Sequence, residues 1–428
     1  MKIVGLITEY NPFHNGHLYH IRESLRITGA DAALVVMSGD YVQRGTPAIM
    51  PKRLRTEMAL YCGAGAVLEL PVCYATGSAE FFALGAISLL DSLGIVDSVC
   101  FGSECSDLPL LQKIAGLLVD EPEQYREILR HELKLGKSFP AARQTAVVFC
   151  TGDPRCADIL KDPNNILGIE YLKALKKCGS SIRPYTIRRK GAGYHSSQLD
   201  ELYSSASAIR SLLAYSSSSI HTEFAGDDST ELSFSDILNE LGNQVPKKCL
   251  ELLSDFHKIQ YPVYQNDFSL ILKYKLLNKH PESLVRYMDV SPELAARICT
   301  SLNDFFNYKQ FAGLLKTKEL TQTRINRALL HIMLGIKKDS VSEYMNSGYN
   351  FYARLLGFKK DCSQILTEIS KKSSLPLLTK LAESRELCEL GQRMLRDDIL
   401  ASNLYTSVVT DKFKTAFLNE YKQRIIKI

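Results

Sequence analysis

The chain has 428 residues, 45% hydrophobic and 23% charged, with a formal net charge of +5. That length allows two or three domains with cores of their own, in an ordinary globular composition. No window approaches the ~18 apolar residues of a membrane-spanning helix, and the mild charge does not by itself argue for nucleic acid.

The eleven cysteines form no regular framework and read as reduced thiols of a cytoplasmic protein. Cys100/Cys105 and Cys150/Cys156 lack CxxC spacing, so no structural zinc site is expected.

The first strand is expected at Lys2–Ile7, leading into ITEYNPFHNGHLYH, Ile7 to His20. Its apolar run is short and ends in Glu9, Asn11 and Pro12, unlike an export signal. A helical pattern follows over Leu18–Thr28. Further strands are expected at Ala32–Met37, Ala66–Leu70, Ser98–Phe101 and Ile182–Ile187. Helices are expected between them at Lys52–Tyr61, Ser78–Leu93 and Asn165–Lys177. Such alternation predicts an α/β fold, a Rossmann-like, mostly parallel sheet with helices on both faces. Ligands bind these sheets at the carboxyl ends of the strands. The residues just after each run are therefore the functional candidates: NPFHNGH, SGDYVQRG, ELP, GSE and RRKGAGYH.

Tyr215–Glu231 is rich in Ser and Asp and reads as a linker (216–231) between a catalytic domain at 1–215 and a second domain at 232–428. Beyond it a 3.6-residue period dominates, around Leu250–Phe256, Arg324–Ile336 and Ser384–Leu395, and predicts a mainly α-helical second half. From Tyr308 to Lys338 there are seven Lys/Arg and one acid, Glu319. This excess fits a solvated helix face or a phosphate-binding surface. Arg324 and Arg327 fall one turn apart, flanked by Lys309, Lys316, Lys318, Lys337 and Lys338.

Three readings compete for His14, Gly16 and His17. They can be turn and cap residues, with Asn11-Pro12 turning the chain and Asn15 capping a helix. They can ligate a metal, although Glu9 is the only carboxylate nearby and no Cys is close. Or they can bind phosphate. A strand feeding a Gly-containing turn into a helix offers unpaired N–H groups and a positive dipole end. Gly16 then admits a nucleotide to the backbone, and both histidines donate to phosphates. Neither GxxxxGK[ST] nor a strand-linked GxGxxG supports a rival phosphate-binding fold. A second candidate is YSSASAIRSLL, Tyr203–Leu213. Ser205 and Ser207 offer hydroxyls at a helix start and Arg210 a neutralising charge; a Ser-rich cap is the plainer alternative.

The HxGH turn placed after the first strand resembles the signature of the nucleotidyltransferase superfamily, relatives of class I aminoacyl-tRNA synthetases. SSASAIR resembles its second, phosphate-gripping loop. The runs GLITEYNPFHNGHLYHI, MSGDYVQRGTPA, VLELPVCYATGSAEFFALGAI, CFGSE, PNNILGIEYLKAL and AGYHSS narrow the match. With TRINRALLHIMLGI and YARLLGF further on, they resemble the tRNA(Met) cytidine acetate ligase family.

The resemblance implies an ATP-dependent ligase that activates acetate as acetyl-adenylate. It then acetylates N4 of the wobble cytidine of elongator tRNA(Met), with Mg²⁺ accompanying ATP. It places ATP contacts on Ile7, Thr8, Glu9, Tyr10, Asn11, Pro12, Phe13, His14, Asn15, Gly16, His17, Leu18, Tyr19 and His20. Others fall on Gly102, Asn164 or Asn165, Arg188 or Arg189, Ser205, Ser207 and Arg210. His14 and His17 are the expected donors to the α/β-phosphates, and Arg189 and Arg210 take charge on departing pyrophosphate. Asp40, where many relatives are expected to carry Asn, is with Glu104 a candidate base for the cytidine attack. Phe13, Tyr41 and Pro71 are candidate walls for acetate. Arg324, Arg327, Lys337 and Lys338 are the candidate tRNA contacts. Two rival functions are a small-molecule adenylyltransferase, usually a compact single domain, and a non-catalytic ATP-binding scaffold.

Overall fold

The structure, a computed structural model, describes residues 1–189, 205–215, 233–317 and 319–428. The linker expected at 216–231, the AGYHSS run and Lys318 lie outside the described residues.

All five expected strands form: β1 (Ile3–Thr8), β2 (Ala32–Ser38), β5 (Ala64–Leu70), β6 (Ser98–Ser103) and β7 (Arg183–Arg188). Between β2 and β5 a small hairpin adds β3 (Tyr41–Val42) and β4 (Thr46–Pro47). The inner strands are buried on both faces, as a parallel sheet between helical layers requires. In IVGLIT, Val4 and Leu6 join the core on one face and Ile3 and Ile7 the core on the other. β1 runs parallel to both neighbours, with Ile7 opposite Val36 of β2 and Val4 opposite Ser98 of β6. The order is β5-β2-β1-β6-β7. The chain thus builds outward from β1 to β5, then returns to add β6 and β7 on the other flank. That reversal opens a crevice at the carboxyl ends of β1 and β6, where α/β sheets bind ligands.

The second half is mainly helical, as the sequence pattern predicts, and it also adds strands to the sheet. β8 (Ala353–Phe358) lies antiparallel to β5, with Ala66 opposite Phe358. β9 (Leu377–Leu378) and β10 (Ile426–Lys427) flank β8 in parallel. ARLLGF hides its strand character behind an arginine, yet all six residues are buried. The helices around them include Gln322–Leu334 and Glu389–Phe413. No described helix is long and apolar enough to cross a membrane.

Arg354 of β8 is buried because its charge is met. It pairs with Glu69 of β5 at 3.0 Å and with Glu420. Lys52, opening the helix Lys52–Tyr61, reaches Glu69 at 2.7 Å, Glu420 at 3.0 Å and Asp40 at 3.9 Å. Two cations and three carboxylates therefore share one dry cluster, fastening the C-terminal segment to the sheet. Its position also settles where Asp40 lies. The Asp40 carboxylate accepts the Lys52 N–H at 2.7 Å and belongs to this cluster, away from the crevice.

Candidate active site

His14 closes the turn after β1 and caps the first helix, Asn15–Thr28. Its backbone is extended (φ −147°, ψ 175°). Its Nδ1 accepts the Gly16 N–H at 3.1 Å, and His17 Nδ1 accepts the His14 N–H at 3.3 Å. The two histidines thus form a reciprocal capping box. With both Nδ1 atoms accepting, the proton of each neutral ring sits on Nε2. The rings stack at 3.8 Å between centroids, and Tyr10 and Phe13 brace His17.

Burial lowers His14 to about 3, reinforced by Arg189 and Arg210. Burial, then His14 and Arg189, hold His17 well below its ordinary value. His20 is lowered to about 4 by burial, against the hydrogen bond of its Nε2 with the Cys100 carbonyl. All three rings are neutral at pH 7. His14 and His17 thus offer Nε2–H donors.

One expectation is corrected here. The helix does not open on unpaired N–H groups. Asn15 N–H donates to the Gln244 carbonyl at 2.9 Å, and those of His17 and Leu18 donate to the His14 carbonyl. What this turn can still offer an anion is the ring Nε2–H groups and the helix dipole. Gly16 also has a local reason. A Cβ there would lie 2.8 Å from His14 Cε1. Gly16→Ala is expected to displace the His14 ring and weaken nucleotide binding by at least about tenfold, roughly one charge-assisted hydrogen bond. Calorimetric titration with an ATP analogue, alongside circular dichroism to confirm the fold, checks it.

The second signature meets the first directly. Ser205 Oγ accepts the Ala208 N–H at 3.1 Å at the start of the helix Ala206–Tyr215. Arg210 donates to the Asn11 carbonyl at 2.7 Å and to Ser207 Oγ at 3.0 Å. From β6 and β7 come Gly102, Arg188 and Arg189. Arg189 donates to Asn164 Oδ1 at 3.3 Å, and Asn164 Nδ2 to Glu104 at 2.6 Å. Asn165 instead turns inward, its Oδ1 accepting the N–H groups of Glu104 and Cys105 at 2.9 and 3.1 Å. Of that doublet, Asn164 faces the crevice; Arg188 and Arg189 both do.

These elements enclose a cleft of about 250 Å³. Its lining includes Ile7, Thr8, Glu9, Tyr10, Asn11, Gly16, Tyr19, His20 and Gly102, besides His14, His17, Asn164, Arg188, Arg189, Ser205, Ser207 and Arg210. Pro12, Phe13, Asn15, Leu18 and Asn165 are not among the lining residues, and neither are Tyr41 and Pro71. The sequence reading missed Gln43, Arg44 and Thr46 of the hairpin, and Phe82, Phe101 and Tyr171. The hairpin carried a signal, since SGDYVQRG follows the second strand. In the second half, Arg324 and Lys337 are exposed. Arg327 is tied to Asp289 at 2.8 and 3.1 Å, and Lys338 Nζ to the Val290 carbonyl at 2.7 Å.

A histidine capping box and four guanidinium groups around the switch point of a parallel sheet define a nucleotidyltransferase-type site. The family model HIGH Nucleotidyl Transferase matches residues 1–420. The chain is 43% identical over 407 residues, 95% of each chain, to the tRNA(Met) cytidine acetate ligase of Caldanaerobacter subterraneus subsp. tengcongensis. It is 40% identical over 429 residues, all of each chain, to that of Acetivibrio thermocellus. Crystal structures of Thermotoga maritima TmcAL are 31% identical and cover the whole of both chains. Their TM-scores are 0.89 for apo form I and 0.87 for form II bound with alpha-thio ATP. The chain belongs to the tRNA(Met) cytidine acetate ligase family and is a ligase.

Proposed function

We propose that the enzyme activates acetate with ATP as acetyl-adenylate, and acetylates N4 of the wobble cytidine of elongator tRNA(Met). The observation that carries the reading is the hydrogen-bonded junction of the HxGH turn with the Ser207–Arg210 loop, through Arg210 and the Asn11 carbonyl. It sets neutral Nε2–H donors and guanidinium groups around one crevice. The carboxylate of acetate attacks the α-phosphate in line; no covalent enzyme nucleophile is needed, and catalysis is positioning and charge stabilisation. His14 and His17 donate to the α/β-phosphates, while Arg189 and Arg210 hold the departing pyrophosphate. Among the described residues no cluster of three or more His, Cys, Asp or Glu could hold a metal ion, so Mg²⁺ would come with the triphosphate, bound mainly through phosphate and water, and would add charge stabilisation there. The mixed anhydride then gives the weakly nucleophilic cytidine amine a good leaving group to displace. ATP binding of this kind is supported by the Thermotoga maritima relative bound with alpha-thio ATP.

Residues 232–428 supply the RNA surface in this reading. Arg324, Lys309, Lys316 and Lys337 are exposed there. Because Arg327 is matched by Asp289, Arg324→Glu is the cleaner test. It is expected to weaken tRNA binding severalfold at low salt and to flatten the salt dependence of affinity; an unchanged affinity would place the surface elsewhere. The reaction is tested by incubating the enzyme with ATP and ¹⁴C-acetate, with and without bulk bacterial tRNA, then digesting the RNA. Label in N4-acetylcytidine is expected. Adenylyl transfer to a small molecule, or no turnover, would favour the rival functions.

A further inference from the structure

The cleft has two ends. Across the sheet the order is β2-β1-β6-β7. Gly102, Arg189 and their partner Asn164 belong to the β6–β7 end, with the histidines at β1 between the two. The opposite end is walled by the hairpin that follows β2, through Val42, Gln43, Arg44 and Thr46. This hairpin is held before any substrate arrives. Glu9 Oε1 accepts the Gln43 N–H at 2.8 Å. The buried Arg55 donates to the carbonyls of Glu9 at 2.6 Å, Ser38 at 3.1 Å and Gly39. The hairpin also rests on the second half. Gly45, at φ 75°, comes so close to the helix Gln322–Leu334 that a Cβ would lie 2.3 Å from Arg327 N. Arg44 is the next residue. It lines the cleft one residue from that contact.

We propose that Arg44 grips the backbone phosphate of the RNA nucleotide whose base enters the cleft, making the β3–β4 hairpin the acceptor port. The proposal rests on the reading of the chain as an RNA-acetylating ligase. A polynucleotide cannot thread a crevice at the end of a sheet; one nucleotide must be splayed out, which leaves its phosphate at the rim. That phosphate needs a cation away from the triphosphate, since two anions at one end repel. Arg188 and Arg189 belong to the β6–β7 end, and Arg210 is already engaged with the Asn11 carbonyl at the turn after β1. Among the described residues that line the cleft, Arg44 is the guanidinium on the hairpin side. Its planar fork suits a phosphate held by two parallel hydrogen bonds.

Arg44→Ala and Arg44→Lys test this against the parent in three measurements: alpha-thio ATP affinity, KM for acetate, and kcat/KM for tRNA. The first two are expected to stay within about twofold. In Arg44→Ala, kcat/KM for tRNA should fall at least about thirtyfold, the loss of one charged hydrogen-bond pair. Arg44→Lys should recover part of it. A tenfold loss of ATP affinity would assign Arg44 to the triphosphate, and a rise in acetate KM alone would assign it to the carboxylate. Either result, or unchanged tRNA acetylation, overturns the proposal. A parent enzyme that binds the ATP analogue but labels no tRNA would instead overturn the ligase reading, and the port with it.

Discussion

Replacing His17 by alanine is expected to lower acetyl transfer by about 10³-fold, with a smaller loss of ATP affinity and little change in tRNA binding. Removing one preorganised donor to a developing anion typically costs 10²–10³ in turnover. Here the loss extends to a neighbour. His17 Nδ1 accepts the His14 N–H and its ring stacks on His14, so alanine also loosens the second donor. The lost cap should cost roughly 1 kcal/mol of stability. His17→Asn separates the two effects. Its amide oxygen can accept the His14 N–H, restoring the cap, but it does not extend an N–H where the imidazole Nε2 reached. Stability should return and turnover should not. Single-turnover labelling of tRNA with ¹⁴C-acetate, beside thermal unfolding, reads both; near-parental turnover in His17→Ala would remove the residue from the mechanism.

Lys52→Met is expected to destabilise the fold by about 3–5 kcal/mol, the usual cost of leaving buried charge unmatched. The substitution keeps the length of the side chain but leaves Asp40, Glu69 and Glu420 to share Arg354. The pH dependence gives the signature. Burial alone would raise Glu420; Lys52 and Arg354 overcome it and bring it down to about 2. A carboxylate lowered in the folded state contributes stability that is present above its unfolded value, near 4.5, and lost as pH falls toward 2. Parent and variant should therefore differ most at neutral pH, narrow their gap below about pH 4.5 and converge only as pH approaches 2. The chain has no tryptophan, so urea unfolding followed by far-ultraviolet circular dichroism is the measurement. A gap that is independent of pH would mean the loss comes from packing.

Much of the first half was legible because its strands are short apolar runs read along one dimension. β1 and β2 fall within a residue of expectation, and the signature after β1 sits where sheet topology puts a ligand. What the sequence withheld is what depends on partners far along the chain. Nothing in ARLLGF announces that Arg354 will be neutralised by Glu69 and Glu420. Nothing in SGDYVQ says that Asp40 turns to Lys52 while Arg44, four residues on, lines the cleft. The same holds within doublets. Asn164 and Asn165 are chemically identical, and only the packing of Glu104 and Cys105 against one of them divides their tasks. The donors of the first helix were misjudged for a subtler reason. A histidine at a helix start can be both the cap and the reactive group, and its Nδ1 consumes an N–H that a sequence reading leaves for the ligand.

The antiparallel seat of β8 on β5 bears on modularity. A nucleotide-activating half and an RNA-facing half are often imagined as cassettes to be exchanged. Here the second half lends a strand, an arginine and a glutamate to the sheet of the first. A chain cut between residues 216 and 232 would turn the seven buried residues of β5 into a bare, apolar edge, a template for pairing with other chains. Trading the second half for a foreign one would strip β8 and its paired charges from the shared sheet.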